Sequence, residues 1–310
     1  MSVENFLFDF GIIGAGIAGL TCAKRLQSGG FSVVVLDKSR GVGGRLATRR
    51  IDSTPVDHGL PYITPDGQYT ENLISLCHPW TSSPPTYIHP DGINSIPKSL
   101  REGLTIHRNF LVTSVAYGDT WRIKSEAGEV AAKSLIIAIP APQALSLLKN
   151  SNFTEADFLQ ALASVHYEPC ITFMAGYSQP LPDNYPLFSR SITADIRWVG
   201  LDSSKRVNPP QSLIVIHSSP DFAAANFDLS PLESLAPMLL SQAGLPAPDW
   251  LQVHRWRYAL PLIRLPFDYL KSSIVPLYIC GDFCCDSLPP LEAAMTSAVA
   301  VVNALIYQSC

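Results

Sequence analysis

Three glycines near the N-terminus have the spacing of a turn that binds the phosphates of a dinucleotide. They are Gly14, Gly16 and Gly19 in the sequence GAGIAG, and an acid, Asp37, follows at the end of the next apolar run. Gly14 permits a tight turn, Gly16 lets the backbone come close to a pyrophosphate, and Gly19 lets a helix pack on a strand. The N–H groups and the dipole at the start of that helix favour a phosphate, and Asp37 can accept hydrogen bonds from ribose hydroxyls. The pattern therefore predicts a dinucleotide site.

A loop rich in glycine and arginine, RGVGGR at residues 40–45, follows this acid. Its glycines allow a ligand to approach the backbone, and Arg45 can pair with the second phosphate of an extended dinucleotide. Near the other end of the chain, Asp282 follows an apolar run and a glycine, which predicts a side chain at the carboxyl end of a strand, where open α/β sheets bind ligands. The fingerprint alone fits NAD as well as FAD. An NAD-dependent dehydrogenase would leave Arg45 and Asp282 without a role, so FAD is favoured.

The hydrophobic pattern predicts the elements that position the glycine turn. Residues 6–13 are apolar and β-prone, residues 17–26 are apolar at helical spacing, and residues 32–36 form a second buried strand. Gly29 and Gly30 end the helix between them. The segment therefore predicts a β-α-β unit whose two strands are parallel.

The rest of the chain is predicted to contain strands and helices around one irregular stretch. Residues 55–97 are rich in Pro, Ser, Thr and Gly and predict loops and short pieces over a binding cleft. From about residue 150 to about residue 266, strand signals alternate with helical ones, which indicates a second domain. Strands are predicted over residues 105–115, 120–125, 129–132, 135–139, 171–175, 213–217 and 277–280. Helices are predicted over residues 232–242 and 291–306, with a short one beginning at 98–100.

Charge and hydropathy argue against several classes of function. The 310 residues include 22 basic and 26 acidic ones, a net charge of −4, without the basic stripe that a nucleic-acid partner requires. The longest apolar run, near the C-terminus, contains Glu292 and Asn303 and is too short and too polar to span a bilayer. The N-terminus lacks the basic region of a secretory signal, and seven cysteines without zinc-like spacing indicate reduced thiols and no metal site. A cytoplasmic protein without a membrane span is expected.

Longer motifs resemble the FAD-binding segments of the amine-oxidase-like flavoproteins, and among these they most resemble the renalase-like proteins. In chain order the segments are DKSRGVGGRLATRR (37–50), VDHG (56–59), VIHSSPDF (215–222), HRWRYA (254–259) and YICGD (278–282) with EAA (292–294). The first and last are similar to segments shared widely among flavoproteins, whereas 215–222 and 254–259 favour the renalase-like branch. The chain departs from the family pattern at 60–62, where Leu-Pro-Tyr replaces a small residue and a Gln.

This resemblance implies an α/β fold in which a Rossmann-like FAD-binding domain of the amine-oxidase type carries an interleaved α+β substrate domain built on a mixed sheet. The FAD-binding domain would comprise residues 1–60, 98–145 and 270–310, and the substrate domain residues 61–97 and 146–269. FAD would be bound non-covalently and extended across the first domain. Resembling proteins oxidise dihydropyridine isomers of NAD(P)H to NAD(P)+ and pass the electrons to O2, which yields H2O2.

The resemblance also implies a set of site residues. The expected cofactor-binding residues are Gly14, Ala15, Gly16, Ile17, Ala18, Gly19, Asp37, Lys38, Gly44, Arg45, Leu46, His58, Gly59, Val112, Gly281, Asp282, Leu291 and Ala294. Asp282 would bind the ribityl chain, and the helix after it would point its N-terminus at the flavin. No catalytic base is identified, and the candidates for contact with flavin or substrate are His58, His217, His254, Trp256 and Tyr258.

The substrate side is less specific. Aromatic walls are available from Tyr62, Trp80, Trp198, Trp256 and Tyr258, and cations for a substrate phosphate from Arg197, Lys205, Arg206 and Arg257. A dihydropyridine becomes aromatic when it loses hydride, so alignment and exclusion of water suffice without acid–base catalysis. Two alternatives stay open: an FAD-dependent amine oxidase or polyene desaturase, and a flavin-binding sensor or partner-binding protein without turnover.

Overall fold

A computed structural model describes residues 6–51, 54–182 and 185–307 of the chain. Two large sheets dominate the described residues. The helices and strands are β1 Leu7–Ile13, α1 Ile17–Ser28, β2 Val33–Leu36, β3 Thr48–Ile51, β4 Thr54–Asp57, α2 Gln68–Ile74, β5 His78–Ser82, β6 Pro85–Ile88, α3 Ser95–Leu100, β7 Thr105–His107, β8 Val112–Tyr117, β9 Trp121–Ser125, β10 Gly128–Ile137, α4 Ala141–Asn150, α5 Ala156–Ser164, β11 His166–Tyr177, β12 Phe188–Arg190, β13 Ile196–Leu201, β14 Ser212–Ser218, α6 Pro220–Asn226, α7 Ala236–Gln242, β15 Trp250–Ile263, β16 Leu270–Lys271, β17 Leu277–Ile279 and α8 Pro290–Tyr307.

The first sheet has eight strands, and its centre is the β-α-β unit expected from the glycine turn. Strands β17, β10, β1, β2 and β7 lie side by side and pair in parallel, while β16, β8 and β9 add antiparallel pairs, so the sheet is mixed. Helix α1 connects β1 to β2 and packs against the C-terminal helix α8. The α/β fold with a Rossmann-like first domain is confirmed.

The second sheet has five strands in the order β12-β13-β14-β11-β15, and every pair in it is antiparallel. The expectation of a mixed sheet in the substrate domain was therefore wrong, and the mixed sheet is the first one. Part of the reason is that the connections between β12, β13 and β14 are too short for the crossover that parallel strands need, so consecutive strands reverse direction. Helices α6 and α7 cover one face of this sheet.

Several boundaries differ from the sequence expectation. Residues 105–115 form two strands, because the chain turns between β7 and β8, where Asn109 has a positive φ of 53° and Phe110 N donates to Asp37 O at 2.9 Å. The two strands expected over 129–132 and 135–139 are the single strand β10, whose first half pairs with β9 and second half with β17. The helix expected over 232–242 starts as a 3-10 turn and becomes α7 at its proline.

The stretch 55–97 is more regular than its composition predicted. It contains one strand of the hairpin β3–β4, the whole hairpin β5–β6, and helices α2 and α3. Two further findings concern the described residues only. No helix among them is long and apolar enough to cross a membrane. Their six cysteines, including Cys284 and Cys285, form no disulfide.

Candidate functional site

The glycine turn between β1 and α1 leaves open space where a phosphate would lie. Gly14 has φ +108°, and a Cβ there would sit 2.6 Å from Ala138 O; a Cβ on Gly19 would sit 2.0 Å from Gly14 O. Both positions require glycine. A Cβ on Gly16, in contrast, would meet nothing within 4 Å. Helix α1 has no side-chain cap and no acid in its first turn, so its first N–H groups and dipole suit an anion.

The glycine- and arginine-rich loop lies directly against this turn. Gly43 N donates to Ala15 O at 2.8 Å, and a Cβ on Gly44 would lie 3.3 Å from the Cα of Gly16. The carboxylate of Asp37 accepts from Ala15 N at 2.6 Å and from a backbone N–H of the loop at 2.7 Å. Because an ionised carboxylate has about four acceptor positions, Asp37 can still accept from a ribose hydroxyl. The turn and the loop together form one backbone-lined surface for a dinucleotide.

Arg45 and Asp282 meet at the far end of this surface. Two guanidinium nitrogens of Arg45 donate to the two carboxylate oxygens of Asp282, at 2.5 and 2.8 Å, and one also donates to Ala259 O at 3.2 Å. Tyr167 donates its hydroxyl to Asp282 at 3.1 Å, and its ring lies 5.7 Å from that of Tyr258. Burial and the Asp282 charge raise the pKa of Tyr167 well above its ordinary value, so the phenol stays protonated. Arg45 thus bonds Asp282, and its contact with a phosphate stays a prediction.

The segment after β4 connects Arg45 to the second sheet. Arg45 O accepts from Leu60 N at 2.9 Å, and a Cβ on Gly59 would lie 2.1 Å from that oxygen. Trp256 donates its indole N–H to His58 O at 3.0 Å and stacks on the His58 ring at 5.5 Å. These residues bring the strand β15 to the end of the cofactor surface.

Four side chains form a row across the second sheet, here called the polar row: Trp198 on β13, His217 on β14, Thr172 on β11 and His254 on β15. Their backbone positions are paired one to the next, so they occupy neighbouring sites on one face. The rings of Trp198 and His217 are 5.2 Å apart. The row meets His58, whose ring is 5.0 Å from that of His254. The polar row therefore faces the end of the cofactor surface marked by His58.

The imidazoles in this region are uncharged at neutral pH. Burial, together with the nearby His254 and the positive charge of Arg49, lowers the pKa of His58 to about 4. Burial and the positive charge of Lys205 lower the pKa of His217 to about 3, and burial also lowers the pKa of His254. The site therefore presents neutral rings and disfavours an added positive charge.

These shifts make stability depend on pH. His58 and His217 titrate near pH 6.5 in the unfolded chain and at much lower pH in the folded protein, so the unfolded state takes up their protons first as the pH falls. The free energy of unfolding therefore falls as the pH drops from about 6.5 towards 4. We expect His217→Gln to reduce that slope by about 1.4 kcal/mol per pH unit, the value for one proton. Urea unfolding at pH 7, 6 and 5 measures it. The exposed His78→Gln is the control, and an unchanged slope in His217→Gln would contradict the expectation.

A buried group of four charged side chains, here called the ion cluster, includes Asp57, the residue that precedes His58. It consists of Asp57, Asp202, Lys205 and Arg206, none of whose side chains is more than 4% exposed. Lys205 donates to Asp202 at 2.6 Å and Arg206 to Asp57 at 2.8 Å, and each cation also reaches the other carboxylate. Burial opposes ionisation of Asp57, but the charges of Lys205 and Arg206 outweigh it and lower the pKa of this carboxyl. The cluster joins the VDHG segment to the end of β13.

The cations proposed for a substrate phosphate are otherwise engaged. Lys205 and Arg206 are held in the ion cluster, and Arg197 pairs with Glu168 at 2.7 Å on the surface. Arg257 is exposed and lies over the Phe227 ring. Because their charges are compensated or point away from the polar row, none of the four is placed to bind a phosphate there.

The remaining expected residues lie as follows. Ile17, Ala18 and Leu46 are buried in the core beneath the turn, Lys38 is exposed beside Asp37, and Val112 begins β8 after the turn that contacts Asp37. Gly281 donates its N–H to Ser297 on α8, and Leu291 and Ala294 pack that helix against α1. Glu292, in the first turn of α8, accepts from the N–H groups of Tyr69 and Thr70, which gives it a structural role.

Sequence reasoning missed two residues of this site, Tyr167 and Thr172. Both lie on β11, where register shifts between positions 166/167 and 168/170 break the simple alternation of faces. Tyr62, Trp80 and Trp198, proposed as aromatic walls, do come together, with Phe188 as a fourth ring between them. Only the apolar alternation of residues 171–175 could have indicated that Thr172 faces the cofactor side.

Fold and site together define a dinucleotide-binding α/β protein whose second sheet closes one end of the cofactor surface. A family model described as flavin containing amine oxidoreductase matches residues 71–306, and one described as NAD(P)-binding Rossmann-like domain matches residues 12–78. The first match spans well over half of the chain, so the chain belongs to the flavin-containing amine oxidoreductase family. Its cofactor is FAD.

Individual relatives are similar over short stretches. A lysine-specific histone demethylase 1 homolog 3 of Arabidopsis thaliana is 56% identical over 54 residues, 17% of this chain and 3% of its own length. A flavin-containing amine oxidase of Oncorhynchus mykiss is 44% identical over 78 residues, 25% of this chain and 15% of its own length. The chain thus matches only a small part of these relatives. The structure of putrescine oxidase bound to putrescine has the same fold, with a TM-score of 0.74 at 14% identity over 97% of this chain and 99% of that one.

Proposed function

We propose that this chain is a renalase-like oxidase that takes hydride from a reduced nicotinamide nucleotide, a dihydropyridine isomer of NAD(P)H. Non-covalently bound FAD would supply the two-electron acceptor. We also propose a domain division that follows the two sheets, with the FAD-binding domain at 1–60, 98–145 and 270–310. The observation that carries the proposal is the polar row. A substrate bound there would contact aromatic and uncharged side chains next to His58.

The chain's own residues would bind and orient the substrate rather than move protons. His217 and His58 are held neutral by burial and by nearby positive charges, so neither is a strong base, and Tyr167 stays protonated beside Asp282. A dihydropyridine needs no base, since the loss of hydride makes its ring aromatic. The overall reaction, dihydropyridine plus O2 plus H+ to pyridinium plus H2O2, is balanced in atoms and electrons.

The second candidate is oxidation of an amine or desaturation of a polyene. The family name and the aromatic group of Tyr62, Trp80, Phe188 and Trp198 favour it, because aromatic rings also suit amines and apolar chains. Against an amine stand the burial and the positive charge of Arg49 that lower the pKa values of His58 and His254, because both also disfavour an alkylammonium beside these rings. A flavin-binding sensor without turnover is the third candidate.

Anaerobic mixing of the FAD-loaded protein with candidate donors tests the proposal. We expect the flavin absorbance to bleach with dihydropyridine isomers of NAD(P)H, and to return when oxygen is admitted, with one H2O2 formed per donor oxidised. Benzylamine and a carotenoid precursor are the comparison donors. Bleaching by benzylamine or the polyene, and none by the dihydropyridines, would replace the proposal with the second candidate. No bleaching by any donor would favour the third.

A further inference from the structure

Four buried polar atoms near His58 have no hydrogen-bond partner among the described residues. They are Nδ1 of His58, Oγ1 of Thr172, Nε1 of Trp198 and Nε2 of His217. Thr172 is fully buried, and His58 and Trp198 are 8% and 5% exposed. Buried polar groups are nearly always paired, because an unpaired one has lost its hydrogen bonds to water without gaining others. Four of them in one place indicate that something polar pairs with them in the functioning protein.

The four atoms belong to one small region rather than to scattered defects. Trp198, His217 and Thr172 are consecutive members of the polar row, with the Trp198 and His217 rings 5.2 Å apart. His58 meets the row at its other end through His254. The Cys170 thiol, next to Thr172 along the same face, interacts with its hydroxyl, but a thiol is only a weak hydrogen-bonding group and leaves the hydroxyl able to bind a stronger partner.

The chemistry of the four groups restricts what can pair with them. The Trp198 indole is a donor only, the Thr172 hydroxyl donates and accepts, and each neutral imidazole has one donor and one acceptor nitrogen. A carboxylate has no donor for the lone pairs of the imidazole nitrogens and the threonine hydroxyl. An ammonium has no acceptor for the indole N–H. An uncharged primary carboxamide, with one C=O and one NH2, has both.

We propose that Thr172, Trp198 and His217, together with His58, form a binding pocket for an uncharged carboxamide group of the substrate. The inference rests on the proposed function in that the nicotinamide nucleotide carries such a group on its dihydropyridine ring. It goes further by assigning the recognition of the substrate's polar end to named residues.

The test measures binding to the FAD-loaded protein without any reaction. Benzamide and nicotinamide are titrated while the flavin absorbance spectrum is followed, and benzylamine and benzoate serve as the cationic and anionic comparisons. We expect the two carboxamides to bind more tightly than either charged compound. Thr172→Val, which removes one polar atom and keeps the shape, and Trp198→Phe, which removes the indole N–H together with part of the ring, should each weaken carboxamide binding about tenfold.

A matched control is available in Thr21→Val. Thr21 is buried at 6% exposure and its hydroxyl is also unpaired, but it lies on α1, away from the polar row. This variant should bind benzamide as tightly as the parent protein. Equal binding of benzamide by all three variants would overturn the proposal and assign the unpaired atoms to buried water.

The outcomes separate this inference from the proposed function. If carboxamides bound tightly and this binding depended on Trp198 and Thr172, but no dihydropyridine reduced the flavin, the pocket would stand and the proposed reaction would be wrong. If dihydropyridines reduced the flavin rapidly, at a rate and with an affinity that neither substitution changed, and benzamide did not bind, the proposed reaction would stand and the proposed pocket would be wrong.

Discussion

The Asp57→Asn variant should be less stable than the parent protein by about 3–5 kcal/mol in free energy of unfolding. Asparagine keeps the shape and can still accept from Thr48 and from Ile93 N, as the carboxylate does at 2.7 and 2.8 Å. What is lost is the negative charge, which leaves Lys205 and Arg206 buried with only one carboxylate. An unbalanced charge in a dry interior is costly because desolvation is no longer offset by a partner. Urea unfolding at neutral pH measures the difference.

Two comparisons separate charge from shape in that experiment. Glu129→Gln makes the same chemical change at an exposed ion pair and should cost less than about 1 kcal/mol. Adding Lys205→Met to Asp57→Asn restores the charge balance of the ion cluster, so the double variant should be more stable than the sum of the two single losses predicts, by about 0.5–3 kcal/mol. A loss in Asp57→Asn no larger than that in Glu129→Gln would show that the cluster is not held by its charges.

Replacing Gly16 by alanine should leave the fold intact and weaken FAD binding by about 10- to 100-fold. The backbone at Gly16 has φ −76°, which alanine adopts readily, and the added methyl meets no protein atom within 4 Å. The same methyl projects into the open space beside the first turn of α1, where the fingerprint directs a pyrophosphate. Overpacking of a close contact costs about 1–3 kcal/mol, which corresponds to that loss of affinity. The dissociation constant of FAD, measured by its fluorescence on dilution of the holoprotein, checks the expectation.

Two other glycines make this prediction specific. Gly118→Ala adds a methyl to open space in the turn between β8 and β9, far from the fingerprint, and should change neither stability nor FAD affinity. Gly19→Ala forces a Cβ to 2.0 Å from Gly14 O and should destabilise the protein even without FAD. The idea that the pyrophosphate lies over Gly16 would be abandoned if alanine there bound FAD as tightly as Gly118→Ala.

The nucleotide half of the site followed from local sequence. The spacing of Gly14, Gly16 and Gly19, the apolar run before them and the helical run after them predicted β1, α1 and β2 within one or two residues. This succeeded because a phosphate turn uses backbone groups that are close in sequence, so the residue types at a few positions determine its geometry.

The substrate half could be predicted only in part. His217, His254 and Trp256 were candidates from their segments, but their common face with Thr172 depends on strand pairings between residues 45 and 82 positions apart. The mixed sheet was assigned to the wrong domain for the same reason, since strand direction depends on which strands become neighbours. Lys205 and Arg206 were candidates for binding a substrate phosphate and are instead buried in the ion cluster.

The sequence by itself determined the dinucleotide turn, the class of cofactor and most element positions, because these depend on residue types at short spacing. Only the tertiary structure decided that Arg45 bonds Asp282 across 237 positions, that β-bulges in β11 bring Tyr167 to the same carboxylate, and that four unpaired polar atoms belong to residues gathered near His58. The physical reason is that burial, pairing and the face of a strand are properties of neighbours in space, which a one-dimensional pattern does not contain.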